Sequence, residues 1–250
     1  MQPYSHLLCS ALSLRKFLLL LLCLSLTPNL QGVIASDATY REDLPDPLSN
    51  TGWRLQLQRD DIEIYTRPWP GSNFVAIKAE QVIAAPLSRI VAHYANIAAF
   101  PEWVKDMSEA RAITSMDQNR ERLVYMRMDM PWPLQDRDIV AGQRYEQDPE
   151  SKVVSVKEWH EAGVLPKIDD VVRVPRTNME LILIPESANR TRFIFQGHNE
   201  PGGIIPSFLV NWMIEDIFYT SMLNMRQRFE SPLPQHTADW VEDFKNHSGD

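Results

Sequence analysis

The spacing of apolar residues changes its period along this chain, and each change marks an element. From Trp53 the pattern is extended. Ile62 and Ile64 alternate with Asp61 and Glu63, Phe74 to Ile83 forms a second extended run, and Pro68, Pro70 and Gly71 lie between them. This predicts a hairpin with one wet face. Pro86 then opens a stretch in which Leu87, Ile90, Val91 and Tyr94 recur at helical spacing until Pro101 interrupts it, which predicts two short helices. Strand signals return over Ala110 to Met116, Arg122 to Met130, Ile139 to Tyr145, Val153 to His160, Met179 to Ile184 and Arg192 to His198. No helical segment separates these later runs, so the expectation is an antiparallel meander and an α+β fold.

The last periodic segment differs from the rest. Gly202-Gly203 makes a turn, Pro206 suits a first helical position, and the chain then runs without a breaker to Phe229. A helix of about 23 residues would be about 34 Å long, enough to cross a sheet. Between Phe208 and Tyr219 the only strongly polar residues are Asn211, Glu215 and Asp216, so this half is apolar around most of its circumference. A surface helix needs one apolar stripe, and the surplus here has to be covered by something else.

The N-terminus is set apart by Arg15 and Lys16 ahead of the apolar run from Phe17 to Leu26, followed by Val33-Ile34-Ala35. The run is well short of the about 20 residues that span a bilayer, so residues 1–35 are expected to be a secretory signal peptide cleaved after Ala35. That places the protein in a periplasm or outside the cell. Cys9 and Cys23 both lie in that leader, which removes disulfides and thiol chemistry from the mature chain. Residues 36–52 read as a polar tether, 53–230 as the folded domain and 231–250 as a polar tail.

The chain has 25 basic and 33 acidic residues. Loss of the leader, with its two cations and no acids, makes the balance more acidic still. This opposes nucleic-acid binding and electrostatic docking on anionic membranes, so membrane contact is expected to be apolar and transient. His160 with Glu161 and His198 with Glu200 lack the spacing of a zinc site, and no metal or cofactor is expected. Met126, Met128 and Met130 alternate with Arg127 and Asp129, which puts three adaptable thioethers on one strand face.

Four motifs occur in an order that resembles the START family of lipid-transfer domains. They are FPEWVKDM (Phe100 to Met107), WPLQDRDIV (Trp132 to Val140), LPKIDDVVRV (Leu165 to Val174) and PGGIIPSFLVNWMI (Pro201 to Ile214). The resemblance implies a helix-grip fold, with a curved antiparallel sheet of about nine strands around the long C-terminal helix and an apolar tunnel between them. A bound ligand would then cover the surplus face of the helix.

It further implies that the tunnel wall includes Trp103, Met107, Met126, Met128, Met130, Arg137, Phe193, Phe195, His198, Phe208, Trp212 and Met213. The loop from Glu161 to Asp170, with Val164, Leu165 and Pro166 at its tip, would be the gate. In the triplet Asp136-Arg137-Asp138 the two acids share one strand face and Arg137 takes the other, so the three cannot converge as a catalytic unit. Arg137 is expected to hold its strand, with Glu102 or Asp129 as its acid; the alternative is a contact to a lipid head group.

The function these features imply is non-enzymatic binding and transfer of a hydrophobic ligand, such as a phospholipid, fatty acid or sterol, by a monomer without catalytic residues. Two other readings remain open. One is a helix-grip enzyme of cyclase or aromatase type, and the other an envelope interaction module whose cavity is filled by its own side chains.

Overall fold

The computed structural model describes residues 44–230 and 236–244. The expected signal peptide lies outside the described residues, as do residues 36–43 of the expected tether. Three strands open the domain: β1 (Arg54–Arg59), β2 (Ile62–Pro68) and β3 (Val75–Ile83). Helix α1 (Leu87–Ala95) and a 3-10 turn (Ile97–Glu102) follow, broken from each other at Asn96, with Pro101 inside the turn. Then come β4 (Met107–Ala112), β5 (Glu121–Met128), β6 (Asp136–Gln147), β7 (Val154–His160), β8 (Val171–Arg173), β9 (Arg176–Ser187) and β10 (Arg190–Glu200). Helix α2 (Ser207–Glu230) follows β10.

The strands form one curved sheet in the order β1-β2-β3-β10-β9-β7-β6-β5-β4. Along this path neighbouring strands pair antiparallel, and α1 and the 3-10 turn carry the chain from β3 to the β4 edge. The last strand, β10, comes back beside β3, so early and late segments meet in the middle of the sheet.

Two strands depart from the expected pattern. β1, in which Leu55 and Leu57 alternate with polar residues, is an edge strand with most of its residues exposed. β8 has three residues, and it runs parallel to the start of β6, pairing Arg137 with Val172. The expectation of an antiparallel meander fails at this point. What fixes β8 is electrostatic and local. Arg173 donates to both oxygens of Asp138 at 2.8 and 2.9 Å, and the Val174 amide donates to the Asp138 carbonyl at 2.9 Å.

Alternation along β6 explains how the interior is made. Arg137, Ile139, Ala141, Gln143 and Tyr145 share one face, and all but Ile139 are buried. Gly142, on the other face, lies across from Trp159, whose ring would stand 2.3 Å from any added Cβ. The core fills the concave side, where Ile77, Ala79, Val124, Val156, Leu181 and Phe193 meet Tyr94 and Phe100 and the Met222 and Met225 side chains of α2.

The segments flanking the expected domain are part of it. Gln196 donates to the Pro45 carbonyl at 2.8 Å, and the buried Lys78 ammonium donates to the Ser49 carbonyl at 3.2 Å. The segment 236–244, expected to be a polar tail, docks instead. The Asp243 carboxylate accepts from the Ser88 amide at 2.7 Å and from its hydroxyl at 2.6 Å, which satisfies the first turn of α1 where Pro86 offers no side-chain cap. Trp240 packs edge-on against Tyr145 at 6.3 Å. Beside it Val241 is 9% exposed, so the mostly polar stretch has two apolar anchors.

Candidate ligand-binding site

A cavity of about 260 Å³ lies between the sheet and α2. Each wall follows from a period. On α2, Val210, Met213, Ile214, Ile217, Phe218, Ser221 and Met222 line it, spaced three and four residues apart and therefore on one side of the helix. On the sheet the lining residues alternate: Met126 and Met128 from β5, Arg137 and Ile139 from β6, Thr177 and Met179 from β9, Phe193, Phe195 and Asn199 from β10. Met130 just beyond β5, Met107 at the start of β4, Phe100 and Trp103 from the 3-10 turn, and Tyr94 from α1 complete the enclosure.

Nine of the twelve residues expected on the tunnel wall are therefore on it: Trp103, Met107, Met126, Met128, Met130, Arg137, Phe193, Phe195 and Met213. Three are not. Phe208 and Trp212 sit four residues apart on the opposite side of α2 from the cavity stripe and are 72% and 74% exposed. Both faces of this half are apolar, and the choice between them was not visible until the sheet was in place. His198 follows the strand alternation to the convex face, where its ring stacks on Trp69 at 4.9 Å and its Nε2 lies 3.2 Å from the Ser72 hydroxyl.

The polar lining is sparse, and its atoms are unusual. Arg137 is 5% exposed and donates from Nη1 to the Gln135 carbonyl. Its Nε has no protein partner, and among the described residues no carboxylate lies within ion-pairing distance. The expected acids are engaged elsewhere or absent from the contact: Glu102 pairs with Arg228 at 2.5 Å, and Asp129 makes no bond to it. Asp136 is taken by Arg127 at 2.5 Å and Asp138 by Arg173, both on the other face of β6. Burial pushes the Arg137 guanidinium below its usual pKa, with the nearby Asp136 charge opposing that shift. The structural role expected of Arg137, a paired strand anchor, is thus filled by Arg173 and Asp138.

Thr177 Oγ1, Asn199 Oδ1 and Trp103 Nε1, all on residues of the cavity wall, are also buried without a partner among the described residues. Deeper in, Glu158 accepts at Oε1 from the Tyr94 hydroxyl at 2.8 Å and from Gln143 at 2.7 Å. Burial raises its pKa, against the lowering effect of these hydrogen bonds and of Arg122. Sequence reasoning missed Tyr94, Glu158, Thr177 and Asn199. For Glu158 a signal existed: it continues the inward positions of Val154 and Val156, where a carboxylate has no place unless it meets a partner.

The loop from Glu161 to Asp170 carries Val164 and Leu165 half-buried and Pro166 exposed. Arg173 donates to the Leu165 and Pro166 carbonyls at 3.3 and 3.1 Å, so the same guanidinium that fixes β8 also holds this loop. Gly202 and Gly203, at φ 69° and 64°, take the turn into α2; a Cβ on Gly202 would stand 2.9 Å from Pro175, and one on Gly203 would lie 4.0 Å from Arg137 Nη2. Arg137 therefore lies under the start of α2. Among the described residues no cluster of three His, Cys, Asp or Glu is placed to hold a metal, and no helix is long and apolar enough to cross a membrane. Glu161 instead accepts from Trp159 Nε1 at 3.0 Å.

Comparison with known proteins gives a consistent picture. A protein of Pseudomonas aeruginosa described as uncharacterized is 25% identical over 178 residues, covering 71% of this chain and 87% of its own length. The phosphatidylcholine transfer protein of Bos taurus is 26% identical over 185 residues, 71% of this chain and 85% of that protein. The crystal structure of a STAR-related lipid transfer protein fragment from Xanthomonas axonopodis matches with a TM-score of 0.66 at 26% identity, covering 72% of this chain and 99% of that one. The START domain itself matches residues 47–232. Because that match begins just ahead of β1 and ends just past α2, taking in every strand and the helix that closes the cavity, the chain belongs to the START domain family.

Proposed function

We propose that this protein binds one hydrophobic molecule in the cavity and carries it through water, without chemistry on the ligand. The observation that supports this most directly is the cavity wall itself: a largely apolar lining with few polar groups, in which neither the Ser221 nor the Thr177 hydroxyl meets a base among the described residues. Covering about 400 Å² of apolar ligand surface at about 25 cal/mol per Å² is worth about 10 kcal/mol before the entropic costs of binding, so affinity needs no catalytic group. Membership of a family whose relatives include phosphatidylcholine transfer proteins favours a lipid.

The cavity volume of about 260 Å³ lies just below the common range for small-molecule pockets. It suits a single acyl chain or a compact ring system, and a two-chain lipid requires α2 to give way. Arg137, buried without an acid, is the contact for an anionic head group. Exchange takes place where the start of α2, the Gly202-Gly203 turn and the Val164-Leu165-Pro166 loop converge on Arg173 and β8. The exposed Phe208 and Trp212 there, with Ile204 beside them, supply a brief apolar touch to a bilayer that an acidic protein would not otherwise make.

Export completes the proposal, with the mature chain starting near Ser36; N-terminal sequencing of protein from the soluble envelope fraction tests it, and an intact leader in the membrane fraction contradicts it. For the carrier role, organic extraction of the purified protein followed by mass spectrometry should recover one lipid at close to one per chain. Protein that is empty as isolated and takes up neither fatty acid nor phospholipid would contradict it.

A further inference from the structure

Two of the unpartnered atoms on the cavity wall belong to one cross-strand pair. Thr177 on β9 and Asn199 on β10 are directly opposite each other in the strand register. Opposite residues put their side chains side by side on one face of a sheet, and here that face is the cavity wall. Thr177 is 1% exposed, and its Oγ1 and the Oδ1 of Asn199 are both buried with no partner among the described residues, each other included. The turn into α2 gives the pair its place. Asn199 comes three residues before Gly202, and a Cβ on Gly202 would stand 2.9 Å from Pro175, two residues before Thr177. A Cβ on the next residue, Gly203, would lie 4.0 Å from Arg137 Nη2. The pair and Arg137 therefore share the end of the cavity under the start of α2.

Their hydrogen-bonding characters differ. A guanidinium only donates, an amide oxygen only accepts, and a hydroxyl does either. A plain carboxylate answers the unpartnered Nε of Arg137 and leaves Asn199 Oδ1 desolvated without a donor, which costs binding energy. A head group that meets all three residues carries an anion and, beyond it, an N–H or O–H. Phosphodiesters of ethanolamine and of glycerol have both. A phosphodiester of choline has the anion, but its quaternary nitrogen has no hydrogen to give.

We propose that Thr177 and Asn199 select the head group of the carried lipid, in favour of a phosphodiester whose alcohol donates a hydrogen bond and against choline. This rests on the carrier reading above and narrows its ligand class. It also sets this chain apart from the phosphatidylcholine transfer proteins it resembles, since the lipid in their name lacks the donor that this pair calls for.

The test uses single-chain probes, which suit the cavity volume: lysophospholipids with one hexadecanoyl chain and an ethanolamine, glycerol or choline head group, and hexadecanoate beside them. Each is titrated below its micellar range against delipidated protein, with tryptophan fluorescence as the readout, since Trp103 is on the wall. The wild type should bind the ethanolamine form, the glycerol form or both about ten-fold more tightly than the choline form. Asn199→Leu with Thr177→Val should abolish that preference and keep hexadecanoate affinity, because hexadecanoate needs Arg137 alone. Asn199→Leu by itself should cut the preference to about three-fold or less even if the double variant folds poorly, whereas Thr177→Ser, which keeps the hydroxyl, should retain it. Equal binding of the lysophospholipids by the wild type, a preference for the choline form, binding of hexadecanoate only, or a preference that survives Asn199→Leu would overturn the site and leave the carrier role intact. Failure of the wild type to bind any of the probes would overturn the carrier reading and this site with it.

Discussion

The N-terminal half of α2 is the more apolar of its two halves and yet the more loosely held. In the C-terminal half Tyr219, Met222 and Met225 are buried, and the helix is bonded to β3, to the β1–β2 turn and to the segment ahead of β4. Gln81 on β3 donates to the Met222 carbonyl at 2.9 Å, the Lys105 amide to Ser221 at 3.0 Å, Asn224 to the Trp103 carbonyl at 3.1 Å, and Arg226 to the Asp60 carbonyl. In the N-terminal half Phe208 and Trp212 face outward, and the polar ties are Asn211 to the Val75 amide at 3.3 Å and to the Asn73 carbonyl at 3.5 Å, with Lys105 to Asp216 where the halves meet. The difference teaches where the cavity wall can give way. A helix anchored along one half and loosely tied along the other is expected to give first at its loose end, and that end lies over Arg137.

The sharpest break in this contrast is Met225→Ala. Met225 is fully buried, and its truncation should cost about 2–5 kcal/mol in chemical denaturation, as for other large-to-small core changes. A cost under 1 kcal/mol would mean that the C-terminal half is not the anchor.

Acid should loosen the same anchor. His93 sits edge-on to Phe229 at 5.3 Å, with its Nε2 buried and unpartnered. Burial, with help from Arg228, holds its pKa down to about 4. An unfolded chain takes up that proton near pH 6.5, so stability is undiminished above pH 6.5 and falls as pH drops toward 4, by up to about 3 kcal/mol. His93→Phe should flatten that part of the stability profile. An unchanged slope would remove His93 from the account.

At the loose end the expected effects move from stability to binding. Arg137→Met should leave stability unchanged or slightly raised, since no acid is stranded by the loss, while hexadecanoate affinity falls about ten-fold. A loss of several kcal/mol in folding would restore the paired role that the contacts do not support. The smallest effect is expected for Trp212→Ala. Its folding free energy should stay within about 0.5 kcal/mol of the wild type, but exchange of a fluorescent fatty acid between zwitterionic vesicles should slow.

Much of this fold was legible because its elements follow simple periods. The alternation in β5, β6, β9 and β10 and the long unbroken α2 were readable, and with four motifs in order they identified the family and placed nine wall residues. What escaped reading has physical causes. β8 is too short to have a period and exists because Arg173 reaches Asp138, a pairing 35 residues apart in the chain. Phe208 and Trp212 lie on a helix with two apolar faces, so sequence could not say which one the sheet would take. Arg137 was expected to find an acid because buried guanidiniums usually do. Glu158 looked like one charge among many until the inward register of β7 showed where it stood.

The account turns on the loose half of α2 being the way in and out, and one experiment addresses it directly. With Cys9 and Cys23 replaced by Ser, cysteines at positions 75 and 211, where Asn211 bonds to the Val75 amide, would tether that half to β3 when oxidised. Transfer of a fluorescent fatty acid between vesicles is then measured before and after reduction. The account predicts transfer at background while the bridge is closed and recovery to the wild-type rate once it is reduced; equal rates in both states would contradict it.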